Sequence, residues 1–262
     1  MAVEHYENFP VASILLPAAL RAPVEVIYRF ARSADDFADE GADPAGIRLQ
    51  KLQGYREQLD APREPLFHDV RKIVREHGLP LELFRDLLDA FSQDVTKKRY
   101  ADYAELLDYC RRSANPVGRL LLHLFKRTTE SNLRQSDAIC TALQLVNHWQ
   151  DVAVDYTRDD RVYLPQDEMA RFGVGERHLA EKRCDDAWRA LMKFQVDRAR
   201  ALMLSGGALG RALRGRVGLE IRATVQGGLR ILEKIERNGY DVFRRRPVLG
   251  ALDWPLLLLK AV

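Results

Sequence analysis

Cysteine is scarce in this 262-residue chain. Cys110, Cys140 and Cys184 are the only three, an odd number at spacings that match no zinc site. A disulfide framework is thereby excluded, and the three read as reduced thiols of a cytoplasmic protein. Long apolar runs are missing too. No stretch approaches the ~20 residues that span a bilayer, and the opening MAVEHYENFP lacks the basic-then-apolar order of a signal peptide. The expected location is the cytoplasm, at most peripheral at the inner membrane face. No glycine-rich phosphate loop occurs, so a nucleotide-binding reading has no footing. Strong charge of one sign is also absent: a net +3 is too small to argue for nucleic acid, although Arg244, Arg245 and Arg246 form one basic cluster.

What remains is an ordinary globular composition, 47% hydrophobic and 30% charged, in a chain long enough to bury a core without staples. Apolar residues recur at i, i+3 and i+4 almost throughout, and strict alternation is hard to find. Pro23 sits where a first helical residue belongs, and Asp43-Pro44 reads as a cap and first residue of a helix through Leu52. Further helices are predicted over about 66–76, 81–91, 103–126, 137–155, 186–204 and 209–237. Breaks fall at His77-Gly78-Leu79-Pro80, Leu164-Pro165 and Phe172-Gly173-Val174-Gly175. No low-complexity linker divides the chain. The expectation is one all-α domain over residues 1–262, a helical bundle around a central cavity.

Two carboxylate clusters interrupt this pattern. In Asp35-Asp36-Phe37-Ala38-Asp39-Glu40, Asp35 and Asp39 are stacked one turn apart, as are Asp36 and Glu40. Each like-charged pair costs a few tenths of a kcal/mol, and negative charge near a helix C-terminus is disfavoured. Something positive should resolve the conflict. Far along the chain, Asn147, Asp151 and Asp155 follow at i+4 steps, with Gln144 three residues earlier and Leu143, Val146, Trp149 and Val152 alongside. An acidic stripe bordered by apolar residues needs a cationic partner wherever it is buried. Oxygen-only donors of this kind suit Mg²⁺, which prefers one or two carboxylates, several waters and substrate phosphates. The candidate metal ligands are therefore Asp35, Asp36, Asp39, Asn147, Asp151 and Asp155. The rival reading of either cluster alone is a solvated acidic helix end.

At these residues the sequence resembles the squalene/phytoene synthase family. Tyr28-Arg29-Phe30-Ala31-Arg32 followed by Asp35-Asp36-Phe37-Ala38-Asp39 is similar to its first aspartate-rich motif. Tyr109-Cys110-Arg111-Arg112-Ser113-Ala114-Asn115-Pro116-Val117-Gly118 resembles its central segment. Gln144 to Asp155 with Arg161-Val162-Tyr163-Leu164-Pro165 is similar to its second motif, and Gly239-Tyr240-Asp241-Val242-Phe243 resembles the segment that closes its active site. The run His5 to Ser13 narrows the likeness to the hydroxysqualene synthase (HpnC) branch. So do Gln150, where an Arg commonly stands, and Val154, where Glu commonly stands.

The resemblance implies an isoprenoid-synthase bundle that ionises presqualene diphosphate, or another prenyl diphosphate, with Mg²⁺ and without NADPH. A placed water would then quench the cation to hydroxysqualene. It implies catalytic roles for Arg32, Asp35, Asp39, Asp151, Asp155 and Tyr28, and substrate contacts from Ser13, Tyr109, Gln144, Asn147 and Tyr240. Core packing is the competing account for each Tyr, and an ion pair with Asp35 or Asp36 for Arg32. The missing Arg at 150 would leave the second cluster short of positive charge, which suits a one-diphosphate reaction better than head-to-head condensation of two. A condensing synthase and a non-catalytic helical assembly factor are the alternatives. The tail Trp254-Pro255-Leu256-Leu257-Leu258-Leu259 reads first as a short helix on the core, and second as a contact with membrane or neighbouring squalene-pathway enzymes.

Overall fold

The structure, a computed structural model, describes residues 16–39, 43–213 and 215–261, with backbone only for Leu258 and Ala261. Ser13, the run from His5 to Ser13, and Glu40 lie outside the described residues. Among the described residues the chain is all-α, with thirteen helices and one isolated bridge between Arg99 and Val162. They are α1 (Ala18–Asp39), α2 (Ala45–Asp60), α3 (Pro65–His77), α4 (Glu82–Thr96), α5 (Tyr103–Ser113), α6 (Asn115–Leu124), α7 (Glu130–Asp159), α8 (Gln166–Arg171), α9 (Glu176–Ala180), α10 (Asp186–Gly206), α11 (Leu209–Ala212), α12 (Gly215–Arg237) and α13 (Asp253–Ala261). None is long and apolar enough to cross a membrane. The chain forms two compact units, residues 1–97 with 111–137, and residues 98–110 with 138–262.

In the first unit α1 packs on α2, α3, α4 and α6. Its buried residues Val24, Ile27, Phe30, Ala31, Ala34 and Ala38 keep helical spacing. Phe30 is the hub: its ring lies 5.2 Å from Phe84 and about perpendicular to it, 6.1 Å from Phe67 and 6.0 Å from Tyr55. Edge-to-face pairs at these separations add to the area they bury. Gly78, at φ +63°, ends α3 in the left-handed conformation its lack of Cβ permits.

The second unit is built on α12, which packs against α10, α11 and α13. Asp185 caps α10 by accepting from the Trp188 backbone N–H at 3.0 Å. The fully buried Trp188 indole then donates to the Tyr240 carbonyl at 3.0 Å and lies 4.4 Å from the Phe243 ring. Glu168 of α8 accepts both a guanidinium fork from Arg198 (2.6 and 2.7 Å) and the Gln195 amide of α10 (2.7 Å), with Arg198 stacked 3.4 Å above Tyr103. That network is satisfied at Glu168 and joins the two helices.

Several boundaries differ from the sequence expectation. Pro23 lies inside α1 rather than at its start, because Leu16, Leu20, Val24 and Ile27 pack in helical register and outweigh one lost backbone bond. Pro44 is itself the N-cap of α2, and the Asp43 carboxylate bonds Lys51 at 2.5 Å instead of capping. The single helix expected over 103–126 is two, since Pro116 has no N–H to continue the ladder from α5. The one expected over 209–237 is also two, α12 opening at Gly215 with φ +63°. The tail does form a helix: Leu257 of α13 is 2% exposed, while Leu252, Trp254 and Leu259 stay open to solvent.

Candidate active site

α1 carries the first acidic row on the side next to its buried stripe. Tyr28, Arg32, Asp35, Asp36 and Asp39 are all half-buried. Arg32 donates to Asp36 at 2.7 Å and to Asp35 at 3.4 Å, and Arg48 donates to the Ala38 carbonyl at 2.9 Å. Two cations of the unit itself therefore meet the charge that crowds this helix end. The ion pair expected as the competing role for Arg32 is present.

The second row stands on α7. Gln144, Asn147, Asp151 and Asp155 are half-buried along one helix edge, next to the buried Leu145, Val146, Trp149 and Val152. Burial first, and then the Asp151 charge one turn away, push the Asp155 carboxyl up to about 8, against the opposing pull of Arg161 and Arg158. The row's side chains offer oxygen donors, which suit a hard cation. Among the described residues no three His, Cys, Asp or Glu side chains converge as a ready-made metal cage.

Gln150 does not play the part expected of it. It is 3% exposed, and its amide donates to the Pro247 carbonyl at 2.6 Å. The positive charge beside the second row comes instead from Arg246, which grips Asp151 with both arms of its guanidinium, Nη2 to Oδ2 at 3.0 Å and Nε to Oδ1. The expected deficit of positive charge is thus corrected: residue 150 faces away from Asp151, successive helical positions being about 100° apart, and a residue far along the chain supplies the cation. The Arg244 to Arg246 cluster was the only sequence sign of it.

Tyr109 is 4% exposed within a group of rings from one unit. Tyr163 stacks on His148 at 3.6 Å and 14°, and Tyr100 and Tyr109 lie 5.5 and 5.6 Å from Tyr163. Burial drives His148 down to about 3, so its ring is neutral. Tyr163, Tyr100 and His148 were not among the expected site residues. Tyr240 lies just past the end of α12, its carbonyl accepting from the Trp188 indole at 3.0 Å. Burial raises its hydroxyl pKa, and the charges acting on it are Glu236, Lys193, Asp197 and Arg200, none of which acts on Asp155.

The whole chain is similar to known proteins. It is 36% identical over 221 residues to the hydroxysqualene synthase of Zymomonas mobilis, covering 82% of this chain and 74% of that one. It is 32% identical to that of Sinorhizobium fredii, covering 100% and 88%. The crystal structure of squalene synthase HpnC from Alicyclobacillus acidocaldarius superposes with a TM-score of 0.83 at 36% identity over 90% of each chain. A dehydrosqualene synthase structure at 23% identity shares the fold, with a TM-score of 0.85 over 98% and 91%. The family profile for squalene/phytoene synthase matches residues 2–253, and the chain belongs to that family of prenyl diphosphate-processing enzymes.

Proposed function

We propose that this protein is a hydroxysqualene synthase working as one catalytic domain on presqualene diphosphate. The observation that carries this reading is its 32–36% identity, over most of both chains, to proteins of that name. Phytoene synthases match at 28–31%. Asp35, Asp36 and Asp39 of α1 and Asn147, Asp151 and Asp155 of α7 would hold Mg²⁺, which when bound supplies positive charge against the departing diphosphate. Arg32 offers a planar fork that suits phosphate as well as carboxylate. The carbon–oxygen bond of the cyclopropylcarbinyl diphosphate breaks and diphosphate leaves with the electron pair. The rearranged cation takes the oxygen of one water and releases a proton. The aromatic faces of Tyr109 and Tyr163 suit a carbocation. Location in the cytoplasm, with α13 touching the inner membrane face, accompanies this reading.

Product analysis tests it. Presqualene diphosphate with Mg²⁺ and no reductant should give hydroxysqualene, and farnesyl diphosphate alone should give nothing. NADPH-dependent squalene, or presqualene diphosphate or phytoene accumulating from simple prenyl diphosphates, would refute it. Asp35→Ala and Asp151→Ala should each cut kcat rather than raise KM, and the double variant should be little worse than either, as for residues acting on one leaving group. The condensing reading keeps one supporting observation: Arg246 gives the second row the cation that Gln150 does not.

A further inference from the structure

We propose that the first half of α2 is the mount of the first acidic row, with Arg48 and Tyr55 as positioning residues. They fix the last two turns of α1 and so set the spacing of Asp35, Asp36 and Asp39. The inference rests on the reading of that row as metal-holding, and names residues outside the row that give it its shape. Arg48, Lys51 and Tyr55 share one face of α2, at i, i+3 and i+7. Each reaches a different point of α1. Arg48 donates to the Ala38 carbonyl at 2.9 Å. Lys51 stands 5.2 Å from the centre of the Phe37 ring, which Tyr55 meets edge-on at 5.0 Å. The Tyr55 hydroxyl is hydrogen-bonded with Ser33. The grips fall on 38, 37 and 33 as α2 runs through 48, 51 and 55, the reversed order of an antiparallel pair. Positions 35, 36 and 39 of the row lie among them.

The row needs such a mount. Stacked carboxylates at i and i+4 repel, and the dipole of a helix C-terminus adds to the conflict. The last four carbonyls of a helix have no partner within it, so such an end frays. Ala38 carries one of these carbonyls in α1, and a guanidinium is the donor whose charge suits that end. The grip is itself anchored at both ends. Arg48 also donates from Nε to the Asp43 carbonyl at 2.9 Å, and Lys51 bonds the Asp43 carboxylate at 2.5 Å. Tyr55 is buried, its ring 4.8 Å from Phe67 and 6.0 Å from Phe30. Stiffness of this kind matters to the ion. Mg²⁺ demands near-ideal octahedral oxygens at about 2.0–2.1 Å, whereas Ca²⁺ accepts looser and more variable shells. A row held in register therefore favours the smaller ion, and a frayed one loses that preference.

Calorimetry on the full chain, with Mg²⁺ and separately Ca²⁺ as titrants, reads this without any turnover. Arg48→Ala should weaken Mg²⁺ binding about tenfold, the worth of one charged hydrogen bond. Ca²⁺ binding should fall about twofold or less, since that ion tolerates displaced oxygens. Amides 35–39 should exchange about tenfold faster in this variant, with those of α4 unchanged. Arg48→Lys keeps the charge and loses the fork, and should fall between. Tyr55→Phe keeps the ring and loses the Ser33 bond, and should shift the ratio of the two affinities the same way by about two- to threefold. Leu124→Ala, a core loss in α6, should lower Tm and leave the ratio alone. Equal weakening of both ions in step with Tm would overturn the inference. So would a ratio shifted as far by Leu124→Ala as by Arg48→Ala. A wild-type chain that binds neither ion would overturn the reading of the row as metal-holding, and this inference with it. Wild-type binding whose ratio responds to neither Arg48→Ala nor Tyr55→Phe would overturn the inference alone.

Discussion

Replacing Asp253 by Asn removes one charge from the first turn of α13 while keeping the shape of the side chain. Asp253 is 4% exposed. It accepts from Arg230 at 2.7 Å, from Lys234, and from the Gly250 N–H at 2.7 Å. These contacts hold the Asp253 carboxyl well below the usual carboxylate range, the Lys234 bond contributing most. Hydrogen bonds to charged groups are worth about 1.5–3 kcal/mol each. Here Arg230 keeps Glu233 and Lys234 keeps the Val248 carbonyl, so the loss should be near the low end, about 2 kcal/mol in total. It should appear as local opening of residues 248–261 rather than as global unfolding, because Leu257 is the only buried apolar side chain described in α13. Two kcal/mol is a factor of about 30 in the opening equilibrium, read directly as faster amide exchange across α13 with exchange in α4 unchanged. The pH dependence has a definite sign. A carboxylate whose folded pKa is depressed contributes stability that is complete above its unfolded value, about 3.9, and is lost as pH falls toward the folded value. The wild-type advantage should be flat from pH 6 to 8 and shrink below about pH 4. Equal exchange in the two proteins at pH 7, or a gap that widens in acid, would refute the account.

Two glycines in helices should respond oppositely to Ala. At Gly218 the new methyl would overlap the carbonyl of Gly210, which Arg222 also holds at 2.8 Å, so overpacking of about 1–3 kcal/mol should exceed the ~1 kcal/mol of helix propensity gained and lower Tm. At Gly54 in α2 nothing lies within 4 Å of the added methyl, and Gly54→Ala should raise Tm; the reverse ranking in thermal melts would contradict both expectations. On α13, Trp254 and Leu259 are 47% and 77% exposed. The double change Trp254→Ser, Leu259→Ser should reduce sedimentation with anionic vesicles and leave Tm alone, whereas unchanged sedimentation would remove α13 as a membrane contact.

Much of the architecture is written in local pattern. The i, i+3, i+4 spacing marks most helices, and the i+4 steps from Asn147 to Asp155 place a polar row on α7 because a helix repeats its faces whatever surrounds it. The missed breaks are those where apolar periodicity runs on unbroken, from Tyr109 through Val117 to Leu121 and from Leu213 through Val217. Which way Gln150 faces could not be deduced from its being next to Asp151, since the two point about 100° apart. Arg246 reaches Asp151 across 95 positions, beyond any local rule. His148 was more legible than its neighbours, for Leu145, His148, Trp149 and Val152 share the spacing of a core face, and all four are buried. Its ring partners, Tyr109 and Tyr163, are joined to it only by tertiary packing.

The division of the chain into units also bears on its synthesis. Residues 98–110 belong with the later part of the chain although residues 111–137 return to the earlier part. Until the segment after Asp160 has emerged, the Lys98 and Tyr100 carbonyls lack the Val162 and Gln166 N–H groups they accept from at 2.9 Å, and Tyr100 lacks the Tyr163 ring it stacks on. At about 5–20 residues per second, the roughly 60 residues between these partners take about 3–12 s to translate. During that interval the faces of Tyr100, Leu106 and Tyr109 that the finished fold buries stay exposed, although the chain of helices α1 to α4 has already been made.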